Sequence, residues 1–239
     1  MEWIQTAKDD IEVSIRSYDS SNFNNAVYQL QQTLEKLAKS YALYLGLFKE
    51  NDLRSEIGHL PNKIYIKLLE MRNIDKIVNF FGVQSNINVY SERLKCLDKK
   101  EILKMDNDIP EFLKIHKKIM KKIAKSLSEE ETKKIVRELK SYRDIENFLK
   151  VSFDFGYLIM PLSVITCVHE SPSRYPDELR NLDIDYRKTK LIENYQKIVI
   201  NIKQIIKRFT NLIDDERRKG IDWEKFNLDE FKRQFEVSI

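Results

Sequence analysis

Arg54 and His59 stand five residues apart in the run Arg54-Ser55-Glu56-Ile57-Gly58-His59. An imidazole exchanges a proton near neutral pH, and a guanidinium presents a rigid fork of donors. Together they suit attack of a 2'-hydroxyl on the adjoining phosphate, with His59 as acid and base and Arg54 neutralising the phosphorane oxygens. Five residues of ideal helix rotate by about 140°, so the side chains converge only where the backbone leaves helix between them. Gly58 permits that departure. The same spacing also arises by chance in a chain rich in arginine, and a histidine here can equally cap a helix or sit in a dimer interface.

His169 and Arg174 repeat the spacing in reverse order, beside Tyr175 and Asp177. Pro172 and Pro176 push their predecessors towards extended backbone, so the segment is a fixed irregular loop. A titratable imidazole, a guanidinium and a phenol on such a loop could form a small anion or base-stacking site. The plainer alternative pairs Arg174 with Asp177 and packs Tyr175 as an anchor. A third pattern is the basic face Lys114, Lys117, Lys118, Lys121, Lys122 and Lys125, opposite Ile115, Ile119, Ile123 and Leu127. Such a face can track a phosphate backbone, although no aromatic is interleaved with the lysines to stack bases, and simple solvation also accounts for it. Asp154 lies inside an apolar run, where a buried carboxylate needs a partner such as Arg or Tyr.

Metal and cofactor chemistry have little foothold. Cys96 and Cys167 are far apart and three histidines are too few for a metal cluster, while no phosphate-binding Gly-rich loop or nucleophile elbow is present. Neither a metal nor a cofactor is expected.

The elements that must position these residues are helical. With 5 Gly and 5 Pro in 239 residues, the chain has too few turn-formers for a sandwich or barrel. Apolar residues every three to four positions predict helices over 3–18 and 22–46, closing at Gly46 as an antiparallel hairpin. Gly58 and Pro61 interrupt helix between 51 and 61, and helical patterns follow over 64–81 and, more weakly, 85–108. Pro110 opens another helix, and Ser128 with Glu131 forms a capping box. Helices at 145–170, kinked by Pro161, and 188–213 complete the core, and a short capped segment spans 227–235. The weakly polar run from Phe155 to Val168 is too short to span a membrane and reads as core. Lys and Arg number 42 against 38 Asp and Glu, a net charge of +4 that by itself points to no polyanion. The first ten residues lack the charge and apolar pattern of a signal peptide, so a cytoplasmic location is expected.

Three pieces together resemble the HEPN family, small helical domains named for higher eukaryotes and prokaryotes nucleotide-binding. The opening hairpin carries Gln32, Glu35, Lys36 and Lys39, similar to that family's Q-x-x-E-K-x-x-K second helix. Gly58-His59-Leu60 follows it, and Arg174-Tyr175-Pro176-Asp177 resembles the R-Y-P-D element after a later core helix. The resemblance implies an all-α, up-and-down helical bundle formed by residues 1–74 and 144–213. Residues 75–143 read as an inserted helical subdomain, and 214–239 as a C-terminal helical extension. It further implies a homodimer that binds or acts on nucleotides or RNA, with a minimal nucleotidyltransferase as a possible partner. The R-x4-H spacing of Arg54 and His59 is that of the family's metal-independent, toxin-like ribonucleases, although there it lies later in the domain. A protein-interaction scaffold is the third alternative.

Overall fold

The computed structural model describes residues 2–57, 62–70, 99–126, 142–169 and 185–219; every regular element among them is a helix. Helix α1 (Glu2–Asp19) buries Ile4, Ala7, Ile11, Ser14 and Ser17, a stripe at helical spacing. Two of its members are polar, and both are satisfied. Ser14 Oγ donates to the Ala26 carbonyl at 2.7 Å and lies 2.6 Å from the Tyr195 hydroxyl, while Ser17 Oγ accepts from Asn25 Nδ2 at 2.6 Å. The turn uses Ser21 at φ 58, and Asn22 then caps α2 (Phe23–Tyr44) by accepting from the Asn25 amide.

Helix α2 is the centre of the bundle. Leu30, Leu34, Leu37 and Ala38 are fully buried, and the helix packs on α1, on α4 and on the later core helices. It stops where the sequence places the stop. Gly46 adopts φ 66, the Leu47 amide donates to the Ala42 carbonyl, and the Gly46 amide donates to Leu43. These two bonds close a Schellman motif.

The segment after the hairpin keeps more helix than the sequence predicts. A single turn, α3 (Glu50–Asp52), runs into a π turn over Leu53–Ile57 that buries Leu53 and Ile57. Helix α4 (Asn62–Glu70) follows. In the middle of the chain, α5 (Lys99–Met105) leads through a 3-10 turn, Asp106–Asp108, to α6 (Ile109–Ser126), which carries Pro110 in its first turn. Ile109 and Phe112 belong to the same core cluster as α1 and α2. Helix α6, within the stretch read from sequence as inserted, thus contributes directly to the bundle's interior.

The long helix over 145–170 is two helices. α7 (Tyr142–Asp154) and α8 (Met160–Cys167) are joined by a π turn, Phe155–Ile159. There the Met160 amide reaches back five residues to the Phe155 carbonyl. Pro161 has no amide hydrogen and its ring crowds the preceding turn, so the helix accommodates it by widening just ahead of it. The helix over 188–213 is likewise divided. A 3-10 turn (Tyr186–Lys188) and a short α9 (Lys190–Glu193) precede α10 (Tyr195–Lys219). Asn194, at φ −102 and ψ 8, interrupts it, and its side chain donates to the Lys190 carbonyl.

Asp106 ties the middle of the chain to the start of α9. Its carboxylate accepts from the amides of Lys190 and Leu191 at 2.6 and 3.0 Å. Burial raises its pKa, against the opposing pull of those amides and of the Lys190 charge. Between the helices lies an aromatic cluster. Phe155 stacks on Tyr41 at 4.2 Å, and Phe209 meets both edge-on. The 227–235 segment, the capping box at Ser128 and residues 71–98 fall outside the described residues.

Candidate functional site

Asp154 is the last residue of α7 before the π turn and has no solvent exposure. Two basic groups meet it. Arg208 of α10 donates from Nε and Nη2 to Oδ2 at 2.7 and 2.6 Å, and His116 of α6 sets Nε2 2.8 Å from Oδ1. The sequence anticipates Arg as a partner for this carboxylate. His116 it misses, because Ile115-His116-Lys117 reads as a polar gap in a basic helix.

Once His116 is placed, the buried stripe of α6 is Ile109, Phe112, His116 and Ile119, with Ile115 only half-buried. Of the expected stripe of Ile115, Ile119, Ile123 and Leu127, Ile119 is buried and Ile115 half-buried, while the side chains of Ile123 and Leu127 lie outside the described residues. A carboxylate that orients an imidazole is an arrangement used for proton transfer. Here it is enclosed: the His116 side chain is 5% exposed. In the fold it ties α6 and α10 to Asp154 of α7, locking three helices together.

The lysines of α6 are on the outside. Lys114, Lys117, Lys118, Lys121, Lys122 and Lys125 are all exposed, and Lys114 pairs loosely with Glu111 at 3.4 Å. The basic face and the buried stripe thus occupy opposite sides of one helix, as their spacing predicts.

His169 is buried at the end of α8. It is 1% exposed, its ring meets Tyr186 edge-on, and Nδ1 lies 3.2 Å from the Tyr186 hydroxyl. Burial lowers its pKa to about 4, so it is neutral at physiological pH. Nε2 is buried with no hydrogen-bond partner among the described residues. Its expected companions Arg174, Tyr175 and Asp177 lie outside the described residues, as does His59. Arg54 stands in the π turn Leu53–Ile57, so the backbone does leave α-helix at the first member of the Arg54/His59 pair.

The chain matches the family model described as HEPN domain over residues 1–127. It belongs to the HEPN domain family. No curated protein and no solved structure matches it. The matched part holds the hairpin and extends through α6.

On α2 the HEPN-like signature residues are paired rather than free. Lys36 forms an ion pair with Asp10 of α1. Glu35 accepts from Lys39 Nζ at 2.7 Å and from Gln31 Nε2 at 3.0 Å. Lys39 also lies over the Trp3 ring at 5.1 Å. Glu35 is buried, at 4% exposure, and Lys36 half-buried.

Among the described residues, no group of three or more His, Cys, Asp or Glu side chains could hold a metal ion. Among the described residues one helical stretch, Lys150–Cys167, begins ahead of the apolar run read from sequence and is long and apolar enough by composition to cross a membrane, and 67% of it is buried inside the bundle. That burial accounts for its hydropathy as core packing.

Proposed function

We propose that this HEPN chain is a dimeric, non-catalytic module that binds RNA, working with a partner such as a minimal nucleotidyltransferase. The observation that carries the reading is the α6 surface, where six lysines are exposed on the face opposite a buried Phe112–His116–Ile119 stripe. A helix anchored on one side and cationic on the other holds ammonium groups at a fixed spacing against a phosphate backbone. Binding of this kind releases counterions, so log K falls with log salt by about 0.7 for each single-strand phosphate contacted.

The test is a titration of labelled single-stranded RNA at several salt concentrations, with wild type and with a Lys117→Glu, Lys118→Glu, Lys121→Glu variant. The expected result is weaker binding to every sequence, a shallower salt slope and an unchanged unfolding midpoint, since all three side chains are exposed. Unchanged RNA affinity assigns the face to ordinary solvation and rejects the reading.

A second reading, RNA cleavage by Arg54 and His59, is favoured by one feature, the π turn that carries Arg54. It requires RNA degradation that His59→Ala abolishes without changing the fold.

A further inference from the structure

Helices α1 and α10 pack side by side and run antiparallel: Ser14 meets Tyr195, and Glu12, nearer the start of α1, meets Lys203, further along α10. Their outward faces carry opposite charge. On α1 the exposed positions are Glu2, Gln5, Asp9, Glu12, Arg16 and Asp19, so acids outnumber bases. On α10 the exposed charges are Lys197, Lys203 and Lys207, with no exposed acid among residues 195–214. Ile200, Lys203 and Lys207 follow one another at i, i+3 and i+7, a single stripe of the helix. Ile200 is 56% exposed, the one large apolar side chain left so open among the described residues.

Neighbouring faces of opposite sign on one chain are self-complementary. A two-fold axis parallel to the helices lays α1 of one copy over α10 of the other and repeats the contact with the roles exchanged. Such an axis preserves height along the helices, so Glu12 and Lys203, level with each other within one copy, are level between copies too. Their side chains are 53% and 45% exposed, which leaves both open to a second partner. A partner of a single charge would match one helix and repel the other, whereas a second copy matches both.

We propose that the α1–α10 face is the interface of a two-fold homodimer, with the acids of α1 meeting the lysines of α10 across it and Ile200 covered at its edge. This names the surface behind the dimeric state proposed above and rests on that reading. The 18 residues of α1 make about 27 Å of helix, and two helices about 10 Å apart present a strip about 20 Å wide. The pair of strips buries about 1,000 Å² in total, at the lower end for a specific interface. The α6 lysines take no part in this interface and keep their own surface for RNA.

The test measures the molar mass of the full-length chain by sedimentation across the micromolar range at low and high salt. The expected result is a dimer whose dissociation constant rises with salt as the charges are screened. Lys203→Glu with Lys207→Glu yields a monomer, and so does Asp9→Lys with Glu12→Lys, each with an unchanged circular dichroism spectrum because all four side chains are exposed. Mixed in equal amounts, the two monomers form a dimer, since each offers the charge that the other now needs. Ile200→Arg weakens the wild-type dimer at least about tenfold, and it decides the matter where a charge reversal disturbs folding. A monomeric wild type overturns the assignment, as do a dimer indifferent to salt and to these substitutions and a mixture that stays monomeric. Labelled single-stranded RNA, measured in parallel, separates the two readings. Monomeric wild type that still binds RNA leaves the α6 surface standing, and loss of both rejects the two together. A dimer dispersed instead by Lys117→Glu, Lys118→Glu, Lys121→Glu puts the interface on α6 and overturns this one.

Discussion

Asp154 places both donors of Arg208 on a single carboxylate oxygen, at 2.7 and 2.6 Å, and keeps the other oxygen for His116. The carboxylate is wholly buried while the Arg208 side chain is 31% exposed, so the cost of breaking the pair falls on Asp154. Arg208→Met is expected to destabilise the fold by about 3 kcal/mol, because it strands a buried charge. Asp154→Leu with Arg208→Met should cost clearly less than the sum of the single substitutions. Urea unfolding of the four proteins in a double-mutant cycle measures the difference, and additive effects would deny the coupling.

His169 sets a pH dependence. Its pKa is about 4 in the fold against about 6.5 in an unfolded chain. Because the folded value is depressed, the unfolded state takes up a proton first as pH falls. Stability is therefore full above pH 6.5 and declines towards pH 4, by up to about 3 kcal/mol from this residue. Unfolding midpoints measured across that window should show the decline, and His169→Gln should flatten it. An equal slope in the variant would assign the pH dependence elsewhere.

Tyr195 is expected to resist ionisation. Burial pushes its phenol up to about 12, although the Ser14 hydrogen bond pulls the other way. Its ring stacks on Tyr18 at 4.1 Å with planes 4° apart, so Tyr195→Phe keeps the stack and removes only the hydroxyl. A loss of about 1 kcal/mol is expected, together with one fewer high-pH tyrosine in an ultraviolet titration. A neutral substitution would mean that the Ala26 carbonyl alone satisfies Ser14.

Gly46 offers a backbone test. A Cβ there would meet nothing within 4 Å, yet φ is 66, so the cost of substitution comes from conformation alone. Gly46→Ala should destabilise by about 1 kcal/mol and Gly46→Asn by less, since Asn tolerates the left-handed region. Equal losses in chemical denaturation would point to a different source of strain.

How much could be read from the amino acids follows from how local each cause is. The hairpin was legible because the apolar spacing of α1 and α2 is uninterrupted and Gly46 marks a stop that only a few residues favour. The α6 lysines were legible for the same reason, as a periodic face. The π turn before Pro161 was not: proline announces a disturbance in a helix but not whether the chain bends or widens. His116 was hidden because its partner Asp154 lies 38 residues away and its neighbours are lysines. Arg208 was equally silent, since nothing near it in the chain is acidic until Asp214. Charge pairs that join separate helices leave no periodic trace.

The two amides that Asp106 holds at the start of α9 connect motions of distant parts of the chain. Their protection from hydrogen exchange depends on a carboxylate 84 and 85 residues away, not on the turn in which they sit. Whenever the 3-10 turn at Asp106–Asp108 opens, the amides of Lys190 and Leu191 become exchangeable with it, so α9 and the α5–α6 junction belong to one opening unit. Exchange followed residue by residue should show these amides and those around Asp106 sharing one opening free energy, with Asp106→Ala collapsing protection at 190 and 191 first.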